Sequence, residues 1–287
     1  MLNRVVFLVK RILRIFNIPI PPYDVVLKAE WKFYINYIHQ GMTIFDVGAY
    51  VGDFTWIYSQ LVGKAGHVYA FEASGENSNK LIQLCALMDL KNVTCEHVAV
   101  ADFSGPIDFH RYGDGYESWG TLASRNFDLL HLEVIPEQQV ERISAITLDE
   151  YCSKNHIKFI DLLKIDVEGA ELQALRGAVE LFKGKKIGCC LFEYGSTTFD
   201  MGNSPKEITE FFNLVGYKIS SLVERSPIFP GNTRQTAQFA MIIARPEEAW
   251  NITNVSKAEE GFLDGVGLIR KGVTIILNQI INTVFKK

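Results

Sequence analysis

The chain reads as an α/β protein with a largely parallel sheet covered by helices on both faces, and three observations predict this. Short apolar runs of strand character alternate with helical patterns between Met42 and Ala244. Two of these runs, Thr43–Val47 and Leu162–Ile165, end abruptly in acidic residues and glycine. Strands break in this way where they open into helices at the ligand-binding edge of such a sheet. The length of 287 residues, with 48% hydrophobic and 22% charged side chains, suits one large α/β domain with extensions.

The elements follow in order. Val25 to His39 is an aromatic-rich amphipathic helix carrying Trp31, Phe33, Tyr34 and Tyr37, closed by Gly41. Thr43–Val47 is a strand, Phe54–Leu61 a helix, His67–Phe71 a strand, Glu76–Met88 a helix and Val93–Val98 a third strand. The turn Asp102-Phe103-Ser104-Gly105 leads to an added strand, Ile107–His110. From about Arg111 to Gln139 glycines alternate with Tyr112, Tyr116 and Trp119, which suits a long surface loop or lid whose aromatic rings either stack on a ligand or pin the loop down. Thr147-Leu148-Asp149-Glu150 has the spacing of a capping box and opens a helix toward Ser153. Leu162–Ile165 is the fourth sheet strand, Ala170–Gly177 its helix and Ile187–Phe192 the fifth strand. Pro205–Leu214 is a helix, and Lys218–Leu222 and Phe239–Ala244 are two closing strands. The expected organisation is therefore residues 1–40 as N-terminal amphipathic helices, 41–246 as the central domain with a lid-like insertion near 111–139, and 247–287 as a C-terminal amphipathic tail.

Net charge of −4 and a pI near 5.9 argue against a general nucleic-acid binder. Cys85, Cys95, Cys152, Cys189 and Cys190 show neither a CxxC pair nor metal-ligand spacing, so free buried thiols and a cytoplasmic setting are expected. Three Asn-x-Ser/Thr tripeptides carry little weight without a secretory route. In residues 1–20, Arg4, Lys10, Arg11 and Arg14 share one helical face, while Val5, Val9, Ile12, Leu13 and Phe16 spread over the other. The cations interrupt the apolar run, so it reads as a basic amphipathic helix rather than a signal peptide or a membrane span. Docking on the protein's own surface, a homodimer contact and peripheral contact with a membrane are its open readings. For the C-terminal tail, with apolar residues from Phe262 to Val284 at roughly helical spacing, the open readings are pairing with the N-terminal helix, dimerisation and contact with a membrane.

The site begins at the first break. Gly48 and Gly52 follow a strand and precede a helix, so the backbone can bend and approach a ligand closely. Tyr50 occupies the place of the second glycine of a dinucleotide fingerprint, and the Lys-Ser/Thr ending of a phosphate loop is missing. Glu72 ends the second strand about twenty residues later, where an acid accepts from both hydroxyls of a ribose. A nucleoside cofactor with an unphosphorylated ribose is the reading.

Phe45-Asp46-Val47-Gly48-Ala49-Tyr50-Val51-Gly52, Glu72, Thr147-Leu148-Asp149-Glu150-Tyr151 and above all Lys164-Ile165-Asp166-Val167-Glu168-Gly169-Ala170-Glu171 resemble the FkbM family of class I S-adenosylmethionine-dependent methyltransferases. The resemblance covers roughly Met42 to Ala244. It implies a Rossmann-like, doubly wound, seven-stranded, mostly parallel sheet with a reversed final β-hairpin, and O-methylation of a sugar, glycan or natural-product hydroxyl. By position it puts Asp46, Gly48, Ala49 and Gly52 at the methionine end of S-adenosyl-L-methionine, Glu72 at the ribose with Ala73 beside it, and Asp166 next to the donor. No acidic partner for the adenine stands in Val98-Ala99-Val100-Ala101.

Methyl transfer requires an acceptor oxygen in line with the donor and a group to take its proton. Asp166, Glu168 and Glu193, at the ends of the fourth and fifth strands, are the candidate catalytic residues. Three carboxylates together need a proton, a cation or a metal between them. No metal is the favoured reading, and a divalent ion held by these acids is the alternative. The histidines are scattered; His131, in the presumed lid, is the one retained as a further candidate base. Two rival functions stay open here, a NAD-dependent oxidoreductase and a non-catalytic methyltransferase-like scaffold that binds a membrane or a partner.

Overall fold

The computed structural model describes residues 24–113, 116–123, 125, 127, 136–222, 232–234, 237 and 239–251. The amphipathic segment of residues 1–20, the tail from Lys257 onward and His131 lie outside the described residues.

Helix α1 (Asp24–Tyr37) leads into β1 (Thr43–Val47), α2 (Asp53–Val62), β2 (His67–Glu72), α3 (Gly75–Leu87) and β3 (Val93–His97). A two-residue β4 (Ala99–Val100) and a long β5 (Gly105–Tyr112) follow, then β6 (Gln138–Ile146) and α4 (Leu148–Lys154). The chain continues through β7 (Ile160–Ile165), α5 (Glu171–Arg176), α6 (Val179–Lys183), β8 (Ile187–Tyr194), α7 (Pro205–Leu214), β9 (Tyr217–Ser221) and β10 (Ala240–Pro246). Seven strands form one sheet in the order β3-β2-β1-β7-β8-β10-β9. Strands β3 to β8 of that order run parallel, and β10 is antiparallel to both β8 and β9, so the reversed final hairpin is present. The order turns from β1 to β7 at the sheet centre, which places the ends of β1 and β7 at the topological switch point.

Most elements fall where the hydrophobic period places them. The differences concern the region after β3. Val93–Val98 is interrupted at Val98, and Ala99–Val100 joins a second, three-stranded sheet of order β4-β6-β5. The added strand is longer than Ile107–His110 and pairs antiparallel with β6 from Gly105↔Ala145 to Tyr112↔Gln138. Consequently the insertion spans 113–137, and both margins of the expected loop are sheet. A further short helix, α6, follows Gly177; the Asp149 carboxylate accepts its first free amides, from Glu180 and Leu181 at 2.9 Å each. The Thr147 hydroxyl accepts from the Glu150 amide at 3.1 Å, as the capping-box spacing predicts.

The sheet separates two cores. Phe45, Val47, Leu163, Ile165 and Phe192 face α4 to α7 through Tyr151, Leu172, Phe182 and Phe212. Ile44, Val68, Leu162 and Leu191 face α1 and α2 through Tyr34, Ile38, Tyr58 and Leu61. Cys152, Cys189 and Cys190 are buried free thiols; Cys85 and Cys95 are free but only half-buried. Among the described residues no helix is long and apolar enough to cross a membrane.

Candidate active site

The turn after β1 is built by two residues in the left-handed region, Gly48 (φ 79°) and Tyr50 (φ 52°), with Gly52 (φ 98°) opening α2. A Cβ on Gly48 would lie 1.8 Å from the Asp166 carbonyl oxygen, so this glycine lets β1 and β7 converge at their ends. A Cβ on Gly52 would lie 2.6 Å from a Leu81 methyl, so that glycine admits α3 against α2. The strained Tyr50 turns its amide toward β2, where it donates to Glu72 Oε2 at 2.8 Å. The other Glu72 oxygen accepts from the Ser74 amide at 2.9 Å. Each carboxylate oxygen keeps a lone pair for a further donor. Burial pushes the Glu72 carboxyl up to about 7 against the pull of these two amides.

A cleft runs along the strand ends from Glu72 and Ala73 to Asp166 and Glu168, with Gly48 and Tyr50 on its floor. Val98, Val100, Phe109 and Leu122 give it an apolar wall, and no acidic side chain projects from the segment after β3. An adjoining cleft shares Gly48, Tyr50, Ser118, Asp166 and Glu168 and adds Ala49, Asp53, Phe54 and Lys164. The two together offer an acid, an apolar slot, a glycine turn and a polar end.

Asp46 lines neither cleft. Register pairs it with Lys164 across β1 and β7, which puts both side chains on the α1/α2 face. The Lys164 ammonium lies 3.6 Å from Asp46 Oδ1 and 3.2 Å from Asp166 Oδ2, and Thr55 donates to Asp46 Oδ2 at 2.6 Å. Burial opposes the charge on Lys164, but Asp166, Asp46 and Glu30 outweigh it and raise its pKa. Burial also opposes ionisation of Asp166, yet Lys164 and a hydrogen bond with Glu193 bring its carboxyl below the ordinary range.

Glu168 stands at the tip of the loop after β7 with φ 55°, an unusual backbone for its type. Three hydrogen bonds over-determine that loop. The buried Glu171 carboxylate accepts from the Val167 and Gly169 amides at 3.2 and 3.0 Å, and Asn203 donates to the Gly169 carbonyl at 3.3 Å. The Glu168 carboxylate meets the guanidinium of Arg125, from the β5–β6 insertion, at 2.6 Å. Arg125 also lies 5.2 Å over the Trp119 ring, which packs on Tyr116, so these aromatics brace the insertion. Carboxylate oxygens of Asp166, Glu168 and Glu193 come within 4.8 Å of one another. Lys164 compensates the first of these acids and Arg125 the second. Burial, followed by the charges of Asp166 and Glu168, holds Glu193 well above the usual carboxylate range, so it keeps its proton.

The structure therefore brings Gly48, Ala49, Glu72, Ala73, Asp166, Glu168 and Glu193 to one edge of the sheet. Asp46 and Gly52 stand behind it: Asp46 is fully buried on Lys164, and Gly52 is filled against Leu81. Sequence reasoning missed Lys164, Arg125 and Glu171. Lys164 was legible as a lone cation inside an apolar strand and Glu171 stood at the end of the same motif; Arg125 gave no local signal.

The family described as Methyltransferase FkbM domain matches residues 46–219. A curated relative, 2-O-methyltransferase NoeI of Sinorhizobium fredii (strain NBRC 101917 / NGR234), is 32% identical over 145 residues, or 48% of this chain and 57% of that protein. The chain thus spans little more than half the length of that relative. Similar solved structures include a methyltransferase FkbM from Methylobacillus flagellatus (TM-score 0.44, 14% identity, 76% of this chain and 53% of that one). Another is a SAM-dependent methyltransferase from Aquifex aeolicus (TM-score 0.42, 14% identity, 81% of this chain and 96% of that one). With more than half of its length matched by the family, the chain belongs to the FkbM methyltransferases.

Proposed function

We propose that the protein is an S-adenosylmethionine-dependent O-methyltransferase whose acceptor is a hydroxyl of a sugar, glycan or small natural product, working in the cytoplasm. The observation that carries this reading is the placement of Glu72 and Asp166 at opposite ends of one cleft floored by the Gly48 turn. The cofactor supplies a methyl group activated on a sulfonium. Glu72 accepts from the ribose hydroxyls, Val98, Val100 and Phe109 flank the adenine, and the Gly48–Tyr50 turn and Asp166 hold the amino-acid end.

The acceptor hydroxyl then enters beside Asp166 and Glu168. In-line placement supplies several kcal/mol, and the remaining requirement is a base for its proton. Glu168 suits that task. Its carboxyl is raised by burial more than Arg125 lowers it, so it is more basic than Asp166 and within reach of the same edge. Asp166 acts as a fixed negative charge, and protonated Glu193 donates to it. The 2-O-methyltransferase named among the relatives supports oxygen as the acceptor atom. Family membership disfavours the nicotinamide dehydrogenase, as does Tyr50 where its fingerprint needs glycine.

The test is methyl transfer from labelled S-adenosylmethionine into a panel of neutral methyl glycosides, oligosaccharides and host glycan extracts. Label recovered as an alkali-stable methyl ether supports the proposal. Label recovered only on nitrogen or carbon would sink the oxygen assignment.

A further inference from the structure

We infer that Lys164 is a positioning residue for the amino-acid end of the cofactor, acting through Asp166. This rests on the S-adenosylmethionine reading above and adds a residue and an element to it. Lys164 is almost fully buried, yet it borders the second cleft beside Ala49, Tyr50, Phe54 and Asp166. Its ammonium sits 5.4 Å over the Phe54 ring and within ion-pair range of both Asp46 and Asp166. Asp46 is itself tied to Thr55, so the cation is anchored from behind and presents its field forward to Asp166.

Helix α1, which precedes the matched family region, completes the arrangement. Its Glu30 is buried, is hydrogen-bonded to Tyr34, and attracts Lys164 from the same face. Tyr34 packs edge-on to Phe54 and Tyr58, so the carboxylate, the rings and the lysine form one buried block between α1, α2 and the sheet. Burial pushes the Glu30 carboxyl up to about 7 and raises that of Asp46, whereas Asp166 lies below the ordinary range, so Asp166 is the acid that keeps its charge next to the cleft. That suits the ammonium of an amino-acid tail, provided one acid is held at the surface to receive it. Asp166, whose side chain is 31% exposed, is that acid, and Lys164 Nζ grips its Oδ2. Without the lysine, Asp46 and Asp166 lose the cation between them, and Asp166 swings away from the tail or takes a proton.

Calorimetry on the full chain separates this role from a structural one, using S-adenosylhomocysteine and 5′-methylthioadenosine. The second compound carries the same adenosine and thioether but no amino acid. Lys164→Met should weaken S-adenosylhomocysteine at least tenfold and change methylthioadenosine less than twofold. Should that variant fail to fold, Asp46→Asn/Lys164→Met removes one excess carboxylate together with the cation, and the same split is expected. Equal weakening of both compounds, or none of either, overturns the inference. A wild-type protein that binds neither compound would overturn the cofactor reading itself, a result distinguishable from the loss of the split.

Discussion

The guanidinium of Arg125 lies 2.6 Å from the Glu168 carboxylate, so an ion pair joins the β5–β6 insertion to the loop after β7. The two residues are 43 apart in sequence, and each side chain is largely removed from solvent. Breaking a buried pair from one side leaves the other charge uncompensated. Arg125→Met is therefore expected to cost about 2 kcal/mol in urea denaturation, a value reduced from the fully buried case because Glu168 keeps some water. It should also lower methyl transfer, and Arg125→Lys should recover part of both losses. Equal stability of wild type and Arg125→Met would show that the pair is dispensable.

Glu72 provides a pH signature. Its carboxyl titrates near 7 in the folded protein, against an ordinary value of 4.5. The group is raised, so it is neutral below that point and becomes a double acceptor for ribose hydroxyls above it. S-adenosylhomocysteine should therefore bind several-fold tighter as pH rises through about 7, and Glu72→Gln should flatten that dependence while weakening binding at high pH. For stability the sign is opposite. The unfolded chain ionises first, so this group favours unfolding increasingly as pH climbs from 4.5 toward 7. A Glu72→Gln protein with an unchanged binding profile would remove Glu72 from the ribose.

Gly48 and Gly113 make a matched pair of probes. An added Cβ at Gly48 meets the Asp166 carbonyl at 1.8 Å on a backbone with φ 79°, whereas one at Gly113 meets nothing within 4 Å. Gly48→Ala should destabilise by about 3 kcal/mol or more, and Gly113→Ala should stay within roughly 0.5 kcal/mol of wild type. Thermal melts of the two variants decide the matter. Similar melting temperatures would mean that β1 and β7 do not converge as described.

Glu171 holds Glu168 in place without touching the cleft. A glutamine there keeps one acceptor but replaces a carboxyl that burial pushes up to about 7 against the pull of the backbone amides. Glu171→Gln should cost about 1–2 kcal/mol and reduce turnover more than cofactor affinity. Equal losses in turnover and in S-adenosylhomocysteine binding would point to general disruption.

Much of this arrangement is legible in the sequence, for physical reasons. Strands β1 and β7 are buried on both faces and end in acid-glycine breaks, so composition alone delimits them. Helix α7 is closed by Ser204 and Pro205 at its start, and its range matches the expected one. Strand β6 escaped because it lies in the small sheet with only Ile143 and Ala145 buried, too sparse an alternation to register as a strand. Arg125 escaped for another reason: its partner Glu168 comes from a remote element, and no local pattern announces such a contact. Asp46 shows the limit of motif transfer. Its place in the turn motif suggested the cofactor's methionine end, but register sets it against Lys164 instead.

The acid cluster bears on metal dependence. Lys164, Arg125 and the proton on Glu193 offset part of the charge of Asp166, Glu168 and Glu193, and we propose that the cluster works without a divalent ion. Methyl transfer should survive dialysis against EDTA within about twofold, well inside the tenfold-per-1.36 kcal/mol scale on which loss of a Lewis acid would show. Abolished activity, restored by Mg²⁺, would reverse that assignment.

Calorimetric titration of the full chain with S-adenosylhomocysteine and, separately, with NAD tests the central claim most directly. The cleft between Glu72 and Asp166 should bind S-adenosylhomocysteine at least tenfold more tightly than NAD, and Glu72→Ala should weaken it. Tighter binding of NAD, or a Glu72→Ala protein with wild-type affinity, would contradict a sulfur nucleoside lying along these strand ends.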